Sequence, residues 1–86
     1  MSLPKRNPSL IDRIVDGERV LLDRERGRIH RLNTTASFVW SHCDGATDAE
    51  TIAQRLAREY GLEPSTVRDD VERLLRELAE QQLLDE

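Results

Sequence analysis

The sequence predicts an α+β domain in which a three-stranded antiparallel sheet is followed by three helices, and three observations carry that prediction. Asp16-Gly17 separates two short apolar runs, which is the signature of a two-residue hairpin. After Leu32 the apolar period changes from two to the 3, 4, 7 spacing of a helix face. Two further stripes at helical spacing follow, punctuated by Asp44-Gly45 and by Gly61. With 86 residues the chain has room for one core, since a domain near this size buries only about 60–65 % of its unfolded surface.

Pro4 and Pro8 push the residues before them towards extended backbone, and the surrounding positions are mostly polar, so residues 1–9 are expected to form a flexible arm. A single domain is expected over 10–86. Its first strand is Leu10 to Val15 and its second Glu18 to Asp23, joined by Asp-Gly because that pair tolerates positive φ at both central turn positions. A second turn at Glu25-Arg26-Gly27 leads to a third strand over Arg28 to Leu32, with Ile29 between polar residues and Leu32 closing the run.

The first helix starts at Asn33 or Thr34, either of which can cap it, and buries Ala36, Val39, Trp40 and Cys43. Asp44-Gly45 ends it. Thr47-Asp48-Ala49-Glu50 reads as a capping box ahead of Ile52, Ala53, Leu56 and Tyr60, and Gly61 stops that second helix. The third helix begins near Pro64 or Ser65 and places Val67, Val71, Leu74, Leu75 and Leu78 on one stripe.

Hydrophobic residues make up 37 % of the chain and charged residues 35 %, enough for a core beneath a strongly charged surface. Net charge −4 with a pI near 5.2 disfavours nucleic acid, because a grip on phosphates needs clustered Lys and Arg. No apolar run is long enough to span a bilayer and the N-terminus lacks the apolar centre of a signal peptide, so no membrane partner and a cytoplasmic location are expected. Cys43 is the only cysteine, which excludes an internal disulfide and a thiolate metal cluster within one chain.

His42-Cys43-Asp44 looks like a metal or nucleophile cluster, yet a zinc site needs three or four ligands and a nucleophile needs an oriented base. Neither set is visible, so Cys43 is expected in the core and His42 on the surface. His30 has no carboxylate or serine partner in sequence and is expected to be exposed or to touch a ligand. Trp40 is expected to pack in the core, and Asp69, Asp70 and Glu72 to lie on a solvated helix face. No catalytic residue, metal or cofactor is called for, and a small enzyme ranks last among the functions considered.

The middle of the chain carries Leu32-Asn33-Thr34-Thr35-Ala36, then Trp40, then Cys43-Asp44-Gly45-Ala46-Thr47, and continues through Ile52, Leu56, Tyr60-Gly61, Asp70-Val71, Leu74 and Leu78. This ordered set resembles the PqqD-like family over roughly residues 18 to 84. The resemblance implies a winged-helix-like fold acting as a recognition element for ribosomally made, post-translationally modified peptides. In that family the leader of a precursor peptide is bound and presented to a modifying enzyme, a radical S-adenosylmethionine protein in the pyrroloquinoline quinone pathway. Similar domains serve other pathways, lasso peptides among them. Many relatives have glycine where this chain has Gln82, just before the final apolar pair.

The resemblance also implies that the leader lies as an added strand on the third strand, in its groove with the third helix. Carried onto this sequence, the peptide-binding candidates are Gly27, Arg28, Ile29, His30, Arg31 and Leu32, faced by Val67, Arg68, Asp70, Val71 and Leu75. An edge strand suits that role because its unpaired backbone groups accept an extended chain of any sequence. Arg24, Arg26, Arg28 and Arg31 with His30 make a basic edge on an acidic protein, which would steer an acidic leader. Leu75 adjoins the core stripe, where it either widens the core face or lines the groove. The same edge leaves either a monomer or a homodimer open.

The alternative reading is a winged-helix DNA-binding regulator, with the third helix as recognition helix. Arg68, Arg73 and Arg76 there stand against Asp69, Asp70, Glu72, Glu77 and Glu80, a balance that repels phosphate.

Overall fold

A computed structural model of the chain describes residues 3–85. The elements in chain order are β1 (Lys5–Arg6), β2 (Ile11–Val15), β3 (Glu18–Asp23), β4 (Arg28–Leu32), α1 (Thr34–Ser41), α2 (Ala49–Tyr60), α3 (Pro64–Glu80) and β5 (Leu84–Asp85). The three expected strands form an antiparallel sheet of order β2-β3-β4, with the helices on one side. Asp16 and Gly17 take φ of 52° and 80° in the β2–β3 turn, the left-handed backbone that the Asp-Gly pair allows. Register then follows from that turn: Val15 lies opposite Glu18 and Ile11 opposite Leu22.

Helix starts depend on side chains that satisfy free backbone amides. The Asn33 side chain accepts from the Ala36 N–H at 2.8 Å and so caps α1. At α2 the structure corrects the expected capping box. Asp48 is the cap, accepting from the Thr51 N–H at 2.8 Å, while the Thr47 hydroxyl instead donates to the Asp44 carboxylate at 3.1 Å. A carboxylate competes well for the helix amides because it also meets the positive end of the helix dipole.

Part of the segment expected to form a flexible arm is paired in the structure. Residues 1 and 2 lie outside the described residues, but Lys5–Arg6 pairs antiparallel with Leu84–Asp85 as a second, two-stranded sheet. Arg6 N–H donates to Cys43 O at 2.9 Å, Asn7 N–H to Leu83 O at 3.1 Å, and Gly45 N–H to Pro4 O at 2.9 Å. Pro4 thus contributes an acceptor where its missing N–H would not be needed. The backbone partners of this segment lie in the α1–α2 loop and beyond α3, so no local pattern announces them.

One core joins the sheet to all three helices through Leu21, Leu32, Val39, Trp40, Ile52, Leu56, Val71, Leu78 and Leu83. Trp40 belongs to it as expected, and its indole N–H donates to Leu83 O at 3.0 Å, so the polar atom of the ring is satisfied while the rest is buried. The guanidinium groups of Arg19 and Arg6 lie 5.2 Å and 5.7 Å from the Trp40 ring centre.

The end of α3 explains the departure at Gln82. Gln82 N–H bonds Ala79 O at 3.0 Å and Leu83 N–H bonds Leu78 O at 2.9 Å, the paired bonds of a helix stop that requires a left-handed residue. Gln82 supplies it at φ 65°, a conformation costing a residue with a side chain about 1–2 kcal/mol. Gln82→Gly is therefore expected to stabilise the fold by about 0.5–1 kcal/mol, after the entropy that glycine loses on folding. Thermal unfolding followed by circular dichroism checks this; an unchanged or lower Tm would contradict the assigned strain.

Candidate functional site

β4 is anchored on one side only. Its residues pair with β3 from Arg28 opposite Asp23 to Leu32 opposite Arg19, and no described strand pairs with its other side. The turn that launches β4 is fixed by Asp23, whose buried carboxylate accepts from Arg26 N–H at 3.1 Å and from the Arg26 guanidinium at 3.2 Å. Burial pushes the Asp23 carboxyl up, but these bonds outweigh it and hold the group below its ordinary value. Gly27 completes the turn at φ 65°.

Along β4 the side chains alternate. Arg28, His30 and Leu32 share the face of Leu21, which looks towards the helices, and Leu32 is buried there. Ile29 and Arg31 point to the opposite face, where Ile29 is 70 % exposed. His30 is half-buried and its Nε2 atom is covered without a hydrogen-bond partner among the described residues. Arg28 is exposed and has no ion pair there, while Arg31 reaches Glu18 only at 3.9 Å.

On α3 the expected contact residues divide in two. Val67 and Val71 are 3 % and 0 % exposed and belong to the core, because positions 67, 71 and 78 turn inward together. They support the wall rather than form its surface. Arg68 and Asp70 reach solvent on the flank, paired with Glu72 at 3.6 Å and Arg73 at 3.1 Å. Leu75 and Leu74 are both half-buried against the core, so Leu75 widens the packed face and still shows a margin.

Cys43 and His42 are held by packing. Cys43 is fully buried, its thiol 3.2 Å from Val39 O, and burial pushes its pKa up to about 12. His42 stacks on Phe38 with ring centres 4.2 Å apart and its Nδ1 lies 2.8 Å from Phe38 O. Among the described residues no group of three His, Cys, Asp or Glu side chains is placed to hold a metal ion.

Two features escaped the sequence reading. A cavity of about 670 Å³ opens between the β2–β3 hairpin and α1, walled by Ile14, Arg19, Phe38 and Tyr60. Periodicity had put Tyr60 in the interior, yet Tyr60 and Ile14 are both exposed here. The second feature is the outer sheet face, where an aliphatic row crosses all three strands; alternation within one strand does not reveal such a row, which depends on register.

A three-stranded sheet, three helices and a β4 paired on one side only define a winged-helix-like α+β domain with an open sheet edge. A family model described as Coenzyme PQQ synthesis protein D (PqqD) matches residues 18–84, and the chain belongs to that family. TbiB1 in complex with the TbiA(beta) leader peptide is similar in structure, with 30 % identity, a TM-score of 0.82 and 94 % of each chain covered. Lasso peptide synthetase B1 complexed with its leader peptide is 25 % identical, with a TM-score of 0.84 over 96 % of this chain and 98 % of that one. The PqqD part of Methylobacterium extorquens PqqCD, a stand-alone recognition element for ribosomally synthesized and post-translationally modified peptides, is 26 % identical. Its TM-score is 0.75, over 98 % of this chain and 89 % of that one. No curated protein matches.

The burial of Cys43 makes a prediction. At pH 8 the folded chain should react with iodoacetamide far more slowly than the same chain in denaturant, because almost no thiolate is present and the sulfur is covered. Equal rates by mass spectrometry would show that Cys43 is an accessible, activated thiol.

Proposed function

We propose that this chain is a peptide-binding adaptor: it takes the leader of a ribosomally made precursor as an added strand on β4 and presents it to a modifying enzyme. The observation that carries this reading is the one-sided pairing of β4, which leaves backbone donors and acceptors open to an extended guest. The leader-bound structures of TbiB1 and lasso peptide synthetase B1, similar over nearly the whole chain, support it.

In this reading Gly27 to Leu32 supply the backbone edge, while Leu75 and the Arg68 and Asp70 flank of α3 supply the facing wall. Val67 and Val71 act from beneath it. His30 fits here: an unpartnered buried polar atom costs about 1–3 kcal/mol, and turning the ring outward to bond a guest group would remove that cost. Arg28 and Arg31 favour an acidic leader, each exposed pair adding about 0–1 kcal/mol.

The chain's own part is binding, and the covalent chemistry falls to the partner: a radical S-adenosylmethionine enzyme if the pathway is that of pyrroloquinoline quinone, another enzyme if it is a lasso pathway. The leader-bound lasso peptide synthetase B1, with a TM-score of 0.84 against 0.75 for the PqqD part of PqqCD, favours the lasso side. The compartment in this reading is the cytoplasm, where precursors leave the ribosome; no described helix is long and apolar enough to cross a membrane.

DNA binding is the weaker reading. Two of the three exposed arginines of α3 are already engaged, Arg68 with Glu72 and Arg73 with Asp70 and Glu77, and Arg76 alone leaves little positive field for a phosphate groove.

Titration of isotope-labelled protein with synthetic leaders of the precursors encoded beside its gene tests the proposal. Saturable shifts at residues 27–32 and along α3 are expected, with Arg28→Glu and Arg31→Glu weakening an acidic leader by roughly three- to fivefold each at low salt. Absence of binding to every neighbouring precursor at high micromolar concentration would refute it.

A further inference from the structure

The face of the sheet turned away from the helices does not have the composition of a solvated surface. Antiparallel sheets with one wet face alternate apolar inward and polar outward. Here Ile11, Leu22 and Ile29 stand opposite one another on three adjacent strands, forming an aliphatic row on the outward side. The next outward row is Arg13, Val20 and Arg31. Val20 is buried yet lies outside the helical core, so the flanking arginines and aliphatic neighbours are what cover it. Arg13 has no ion-pair partner among the described residues, and Arg31 has only the long contact to Glu18.

We propose that this outer face is a second docking surface, and that its occupant is the modifying enzyme, through an apolar patch rimmed by carboxylates. Ile11, Leu22 and Ile29 give the contact an apolar centre with Val20 beneath it, and Arg13 with Arg31 gives it a positive rim on a chain of net charge −4. A second copy of the chain fits poorly. Two identical faces packed about a twofold axis would set the arginine-bearing rows either against each other, like charge on like, or over the partner's aliphatic row, which cannot pair with them.

The proposal rests on the leader-binding reading and extends it. A guest strand on β4 has alternating side chains, so half of them point outward beside Ile29 and Arg31 and enlarge this same face. The enzyme would therefore meet the loaded chain on a larger surface than the empty one. Linkage then requires that the enzyme raise leader affinity by the same factor by which the leader raises enzyme affinity.

The variants Leu22→Lys and Arg13→Glu test it, because neither residue is on β4 and Arg13 is exposed. The purified modifying enzyme encoded beside the gene is the binding probe, with and without leader. Both variants are expected to keep leader affinity within about twofold while binding the enzyme at least roughly tenfold more weakly, and the wild type to bind the enzyme more tightly when loaded. Wild-type enzyme affinity in both folded variants would overturn the proposal, as would a wild-type dimer that Leu22→Lys converts to monomer. Failure of the wild type to bind any leader would instead remove the proposed function, while enzyme binding lost in Arg13→Glu would still support the face.

Discussion

Pairing of β4 with β3 on one side only fixes everything that the proposed site can do. The ladder from Asp23–Arg28 to Arg19–Leu32 holds β4 extended and decides which of its side chains face the helices. It also leaves a row of backbone groups in solvent, a feature that sheet proteins usually blunt with charge or cover. Here the charge is present as Arg28 and Arg31, cationic side chains that discourage pairing with a like edge yet suit an acidic guest. Two local devices hold the strand in place: the Asp23 carboxylate, which fixes the preceding turn through Arg26, and Leu32, which ties the far end to the core beside Asn33 and α1.

The rest of the domain makes that edge rigid. Trp40 and Leu83 connect α1 to the chain beyond α3 through a buried hydrogen bond across 43 positions of sequence. The β1–β5 pair adds a backbone clasp between the two ends of the described chain. A strand that is already extended loses less entropy when a guest pairs with it, and preorganisation of this kind raises affinity without any added contact.

Much of this was legible in the sequence, and the divide between what was and what was not follows the range of the interactions. Asp16-Gly17, the 3, 4, 7 stripe after Leu32, Gly61 and Pro64 act within a few residues of themselves, and each element they announce is present. The β1–β5 clasp is two residues long on each side and joins positions about eighty apart, so no periodicity marks it. Thr47 and Asp48, both able to cap a helix, stand side by side, and only the Asp44 carboxylate that captures the Thr47 hydroxyl decides between them. On α3 the stripe was correctly seen, but whether Val67, Val71 and Leu75 face core or groove depends on what packs opposite. The outward row of Ile11, Leu22 and Ile29 needed the register of two ladders before it became visible at all.

The most direct measurement is amide hydrogen exchange of β4 with and without a saturating leader peptide. If the guest adds as a strand, the amides of Arg28 to Leu32 that do not bond β3 gain protection together, while those already bonded to β3 change little. Protection confined to α3 or to the cavity between the β2–β3 hairpin and α1, with the outward β4 amides exchanging as fast as before, would contradict the account.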